Sequence, residues 1–133
     1  GFRKAPYLCS AGVPTIGFGS TMYADGKKVK MSDVSISEAT ALELFHTTLH
    51  KYEQTVDKAI IIPLTQNQFD ACVSLCYNIG QGNFASSTLV KEINKGESKE
   101  KTSEQFLRWN KAMGVVSAGL SRRRKAEQKL YLS

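Results

Sequence analysis

From Leu42 onward apolar residues return every three or four positions; before residue 36 they do not. This change of period splits the chain into two kinds of sequence. Leu42, Phe45, Leu49, Tyr52 and Val56 form one stripe on a long helix over about 36–60. Ser35 with Glu38 has the spacing of a capping box at its start. Pro63 ends the connection, and Thr65 with Gln68 repeats the capping-box spacing. Phe69, Cys72, Val73 and Cys76 make the next stripe, which Gly80 stops. Ser87 is placed to cap a short helix over 88–94, closed by Gly96. A further helix is expected over 103–112, burying Phe106 and Trp109, and a last one over 121–131.

The opening third is punctuated differently. "YLCSAGVPTIGFGST" at 7–21 crowds three glycines and a proline around short apolar pairs, too broken for a helix. Residues 14–36 carry strand and turn signals. Asp25-Gly26 predicts a two-residue hairpin turn. Val29 and Met31 alternate with Lys28 and Lys30, the period of a half-exposed strand. The expected architecture is α+β and mainly helical, in a single domain. A small β-hairpin lobe (about 1–36) leads through a long helix (about 36–60) into a helical lobe (about 63–133), with a cleft between the lobes as the preferred place for a ligand. A chain of 133 residues is long enough to bury about two-thirds of its unfolded surface.

Composition excludes several functions. No apolar run approaches the roughly 18 residues that a membrane span needs, so no stable membrane insertion is expected of this segment. Cys9, Cys72 and Cys76 are too few and too oddly spaced for a disulfide framework. Cys72 and Cys76 share a helical face and read as small buried hydrophobes. His46 and His50, four apart in a helical segment, read as helix-surface residues; no metal and no cofactor is implied. The net charge of +6 favours an anionic partner. Such a partner could be nucleic acid, an acidic lipid or an acidic polysaccharide; the densest basic cluster, "SRRRK" at 121–125, could equally be the solvated start of a terminal helix, and its lack of interleaved aromatics argues against nucleic acid.

Five blocks carry a resemblance. "YLCSAGVPTIGFGST" at 7–21, "PLTQNQFDA" at 63–71, "YNIGQGNFASSTL" at 77–89, "FLRWNKA" at 106–112 and "GLSRRRKAE" at 119–127 together resemble the phage-type lysozymes, endolysins that cleave bacterial cell walls. The resemblance runs from Gly1 to about Leu132. It implies a lysozyme-like fold, and a muramidase that cuts the β-1,4 bond between N-acetylmuramic acid and N-acetylglucosamine in peptidoglycan. The partner would be the glycan strand, the place of action the bacterial wall (periplasm or extracellular), and the protein a monomer.

The same resemblance implies site residues. The family's opening motif begins Glu-Gly, the glutamate being the general acid. Aligned here, the glycine is Gly1 and the glutamate would stand immediately before it, so residues 1–133 alone are expected to be inactive. The second catalytic position falls on Cys9 and the third, a threonine that helps place the attacking water, on Thr15. Glycoside hydrolysis ordinarily needs an acid on one face of the sugar and a base or nucleophile on the other. An unperturbed thiol has a pKa of about 8.5, a weak base at neutral pH but an intrinsically strong nucleophile. Cys9 could also be a packed turn residue, and Thr15 could simply satisfy backbone groups. Arg122, in the arginine block, is implied to orient the acid. Gly19 is a candidate wall of the sugar site, or only a turn glycine. Tyr77, Asn78 and the Ser86-Ser87 turn are implied to bind sugar. Ser20 stands where many members have histidine. The rival reading is a glycan-binding module of the same fold that does not cut.

Overall fold

The computed structural model describes residues 1–9 and 12–133; Ser10 and Ala11 of the opening block lie outside them. By packing the chain divides into two compact units, residues 1–51 and 52–133.

In the first unit β1 (Arg3–Leu8) pairs antiparallel with β2 (Pro14–Gly17), Tyr7 facing Thr15 and Arg3 facing Gly17 across an irregularity in the register. Gly17 has φ +69, and a Cβ there would stand 3.0 Å from the Ala41 Cβ, so only glycine lets the strand end lie this close to the helix. Beyond it, Ile16 and Ser20 exchange backbone hydrogen bonds of 2.8 and 2.9 Å, and a turn closes through Gly26 N–H to the Tyr23 carbonyl. Asp25 accepts from the Lys27 N–H and the Tyr23 N–H donates to the Lys27 carbonyl, each at 2.9 Å, so the chain does turn back at Asp25-Gly26, but through a three-residue loop over 24–26 and not the expected two-residue turn. The strand expected at 28–31 does not form. A single bridge joins Met22 and Lys28, Val29 is buried, and Met31 is 50% exposed. Asp33 explains the break: its carboxylate accepts from the Lys30 N–H and the Tyr23 hydroxyl, each at 2.8 Å, turning the chain after Lys30. Ile16, Val29 and Leu44 form the core of this unit, with Tyr23 and Ile36 packed against it.

The helix α1 (Glu38–Ala59) spans the division between the units. Its cap is Ser37, whose hydroxyl accepts from the Thr40 N–H at 3.2 Å, and not Ser35 as the sequence spacing suggested. Ala41, Leu44 and Val56 are buried, whereas Leu42 is 44% exposed, so the stripe is offset by one residue at its first turn.

In the second unit α2 (Gln66–Ile79) starts with a complete capping box, Thr65 accepting from Gln68 N–H and the Gln68 side chain from Thr65 N–H. Then come α3 (Gln81–Ala85), α4 (Thr88–Asn94) and α5 (Lys99–Ser103), followed by a 3-10 turn over Glu104–Arg108. Lys111–Ala112 (β3) and Val115–Val116 (β4) form a small hairpin, and α6 (Ala118–Leu132) closes the chain. The single helix expected over 103–112 is thus replaced by a 3-10 turn and a strand. Met113 and Gly114, with φ of 53 and 81, make a tight left-handed turn that no helix can contain. Phe106 is fully buried as expected, but Trp109 is only half-buried, at the end of the 3-10 turn. The core collects Ala71, Cys72, Leu75, Cys76, Phe84 and Phe106. Each fully buried phenylalanine contributes about 1.5–3 kcal/mol. Burial pushes the Cys76 thiol up to about 12 and raises Cys72 as well, so both behave as the apolar residues expected.

Candidate functional site

Cys9, Thr15 and Gly19 belong to the first unit. Cys9 follows β1 directly. Its N–H donates to the Val13 carbonyl at 3.1 Å and its carbonyl accepts from Gly12 N–H at 2.8 Å, and the residue is half-buried. Gly12 has φ +75, in the left-handed region that favours glycine. Thr15 lies in β2 and is 2% exposed. Its hydroxyl donates to the Val13 carbonyl at 2.8 Å. With that proton committed, Thr15 Oγ1 can only accept further hydrogen bonds. Gly19 sits in the Ile16–Ser20 turn with φ +91, a conformation that favours glycine whatever lies beside it. Phe18, between Gly17 and Gly19, has its ring 5.6 Å from Phe2 and 6.2 Å from Phe45. Ser20 is 1% exposed, and its hydroxyl has no hydrogen-bond partner among the described residues.

Tyr77, Asn78, Ser87 and Arg122 belong to the second unit. The half-buried Tyr77 ring meets Tyr52 edge-on at 5.2 Å. Ser87 is 5% exposed and caps α4: it donates to the Phe84 carbonyl at 2.6 Å and accepts from Val90 N–H at 3.2 Å. Its hydroxyl proton is therefore committed to the backbone, and the observed work of Ser87 is capping. Ser86 is exposed and donates to the Gly82 carbonyl at 2.9 Å.

Arg122 is exposed on α6 and makes no ion pair among the described residues. The arginine that the fold engages is Arg124, 1% exposed. One of its terminal nitrogens donates to Asn78 Oδ1 at 2.7 Å and to the Trp109 carbonyl at 3.3 Å, and the other to Glu127 Oε2 at 2.8 Å. Its Nε faces Glu127 Oε1 at 2.7 Å, an ion pair without hydrogen-bond alignment. Ser74 donates to Glu127 Oε2 as well. Burial pushes the Glu127 carboxyl above its ordinary value, against the pull of the Ser74 hydroxyl and the Arg124 charge. A raised carboxyl pKa is what a general acid needs, but both oxygens of Glu127 are engaged inside the protein and the residue is only 5% exposed.

Arg124, Glu127 and Ser74 were not singled out by the sequence reading, yet a signal for them existed. Leu120, Arg124, Glu127 and Tyr131 follow one helical seam at spacings of four, three and four, so two charged residues occupy a face otherwise half-buried or buried. Ser74 and Asn78, four apart, make the matching face of α2, which packs on α6.

A family model described as phage lysozyme matches residues 1–127. The endolysin of Salmonella phage P22 is 38% identical over 133 residues, which covers all of this chain and 89% of that protein. Among solved structures, the endolysin from Escherichia coli O157:H7 phage FAHEc1 is similar with a TM-score of 0.86 and 40% identity, covering 100% of this chain and 85% of that one. The muramidase domain of SpmX from Asticaccaulis excentricus is similar with a TM-score of 0.81 and 29% identity, covering 100% and 88%.

Proposed function

The chain belongs to the phage lysozyme family, and from this premise we propose how its residues act. It is a peptidoglycan hydrolase of the lysozyme type, working on the bacterial cell wall. The observation that carries this is the family match over residues 1–127, together with relatives named endolysin and muramidase at near-complete coverage. Those names favour hydrolysis over a module that only holds glycan. The bond cut is the β-1,4 link from N-acetylmuramic acid to N-acetylglucosamine. The protein acts as a monomer, in the periplasm or outside the cell.

The roles follow from the family pattern and the local chemistry. A glutamate directly before Gly1 protonates the glycosidic oxygen as the bond breaks. Cys9 serves the opposite face of the sugar, as base or as nucleophile. Thr15 Oγ1, able only to accept, holds a water through one of that water's protons. Tyr77 and Asn78 contact the glycan, Gly19 lets it approach the backbone, and Arg122 steers the acid. Ser87 supports the glycan contact indirectly, through the turn that it caps.

The test is clearing of purified peptidoglycan by residues 1–133 preceded by Glu, by Gln, or by neither. Loss of a general acid costs about 10²–10⁴-fold. The Glu form should clear the suspension, and the other two should be slower by at least about a hundredfold. Equal clearing by all three would place the acid elsewhere. No clearing by the Glu form would overturn the assignment.

A further inference from the structure

Asn78 is exposed on α2, next to the half-buried Tyr77, yet one end of its amide is gripped from inside the protein. The gripping group is a guanidinium, which donates and never accepts, so the atom facing it must be Oδ1. The 2.7 Å contact is therefore directional and leaves the Nδ2–H2 end of the amide pointing away from Arg124. Arg124 itself is 1% exposed and cannot reach a polymer outside. Nor can it swing, because Glu127 holds the rest of its fork and the Trp109 carbonyl takes the second proton of the nitrogen that binds Asn78. Glu127 is fixed in turn by Ser74, one turn before Asn78 on the same helix. The chain of contacts runs from α2 to α6 and back to α2 and ends at a single outward donor.

We propose that Arg124 is a positioning residue for glycan recognition: with Glu127 and Ser74 behind it, it locks Asn78 so that the side-chain amide offers a donor to an oxygen acceptor of the glycan. The strong neutral acceptor on this polymer is the carbonyl of an N-acetyl group, so the site reads N-acetylated sugar. The inference rests on the muramidase reading above. A freely rotating amide would accept or donate with equal ease; the lock removes the accepting alternative before the glycan arrives.

Asn78→Asp tests the lock directly. Aspartate keeps an acceptor for Arg124, now as a carboxylate in an ion pair, and replaces the outward NH2 by an acceptor oxygen, adding one negative charge. Binding of soluble oligomers of alternating N-acetylglucosamine and N-acetylmuramic acid is measured by calorimetry. Asn78→Asp should bind at least about tenfold more weakly while melting no lower than the parent. A second arm uses Arg124→Lys, whose single ammonium cannot hold the fork. It should weaken binding alone and cause no further weakening in an Asn78→Ala background, whereas a purely structural arginine would give additive losses. If Arg124→Lys does not fold, the Asn78→Asp arm decides. Unchanged affinity in Asn78→Asp, or additive losses in the cycle, overturns the inference and leaves the muramidase reading intact. A parent chain that binds no oligomer at all removes both.

Discussion

Glu127 and Arg124 are charged residues that the fold has taken almost wholly out of water, at 5% and 1% exposure. Desolvation of two charges costs several kcal/mol per ion, and the contacts to Ser74, Asn78 and Trp109 are what make the pair tolerable. The balance can be read from pH. Burial sets the Glu127 pKa above its ordinary 4.5, so the folded protein holds that proton more tightly than the unfolded chain. The stability that this proton brings is fully present below the unfolded value and is lost as pH rises through the folded one. Glu127→Gln cannot titrate. The melting temperature of Glu127→Gln minus that of the parent should therefore increase between about pH 4 and about pH 7. The opposite slope would mean that the Arg124 charge outweighs burial. At this scale the sequence names residue types and positions but not which of several neighbours the fold buries. Arg122 and Arg124 differ by two positions in one basic run, and only the helical phase against Leu120 and Tyr131 separates the exposed one from the buried one.

Elements were legible where their signals were local. The Thr65–Gln68 box, the α4 cap at Ser87 and the Asp25-Gly26 turn each depend on side chains within three residues of the backbone groups that they satisfy. Thr65→Ala should accordingly lower stability by about 1 kcal/mol in chemical denaturation and leave glycan binding unchanged. A loss below about 0.3 kcal/mol would show that α2 is held by its packing on α6 and not by its cap. β1 escaped the sequence reading because "RKAPYL" contains a proline and shows no alternation of apolar and polar residues. Arg3–Leu8 becomes a strand by meeting Pro14–Gly17 on one side, while Lys4 accepts from the Ile36 N–H at 2.8 Å. The stretch after Ser103 misled for a different reason. Phe106 and Trp109 have helical spacing, but a 3-10 turn gives i and i+3 a common face as well. Met113-Gly114 then turns the chain without the Asn-Gly or Asp-Gly pair that announces a hairpin.

For the whole molecule the five sequence blocks and the family match over residues 1–127 give the same answer, an enzyme of the bacterial cell wall. The net charge of +6 fits a polymer that carries muramyl-peptide carboxylates, and it adds attraction without selecting the bond. Bond choice belongs to the site, which is why fold and family could be read early while the part played by each residue could not. The backbone of Cys9 bonds to Val13 and Gly12, and the Thr15 hydroxyl donates to the Val13 carbonyl. The most direct measurement is the identity of the new chain ends. Peptidoglycan digested by the Glu-preceded chain is reduced with borohydride, hydrolysed and analysed for amino sugar alcohols. A muramidase creates muramic acid reducing ends, so muramitol should rise with digestion while glucosaminitol stays at its starting level. A rise in glucosaminitol, or new peptide amino termini with no new reducing ends, would contradict the account.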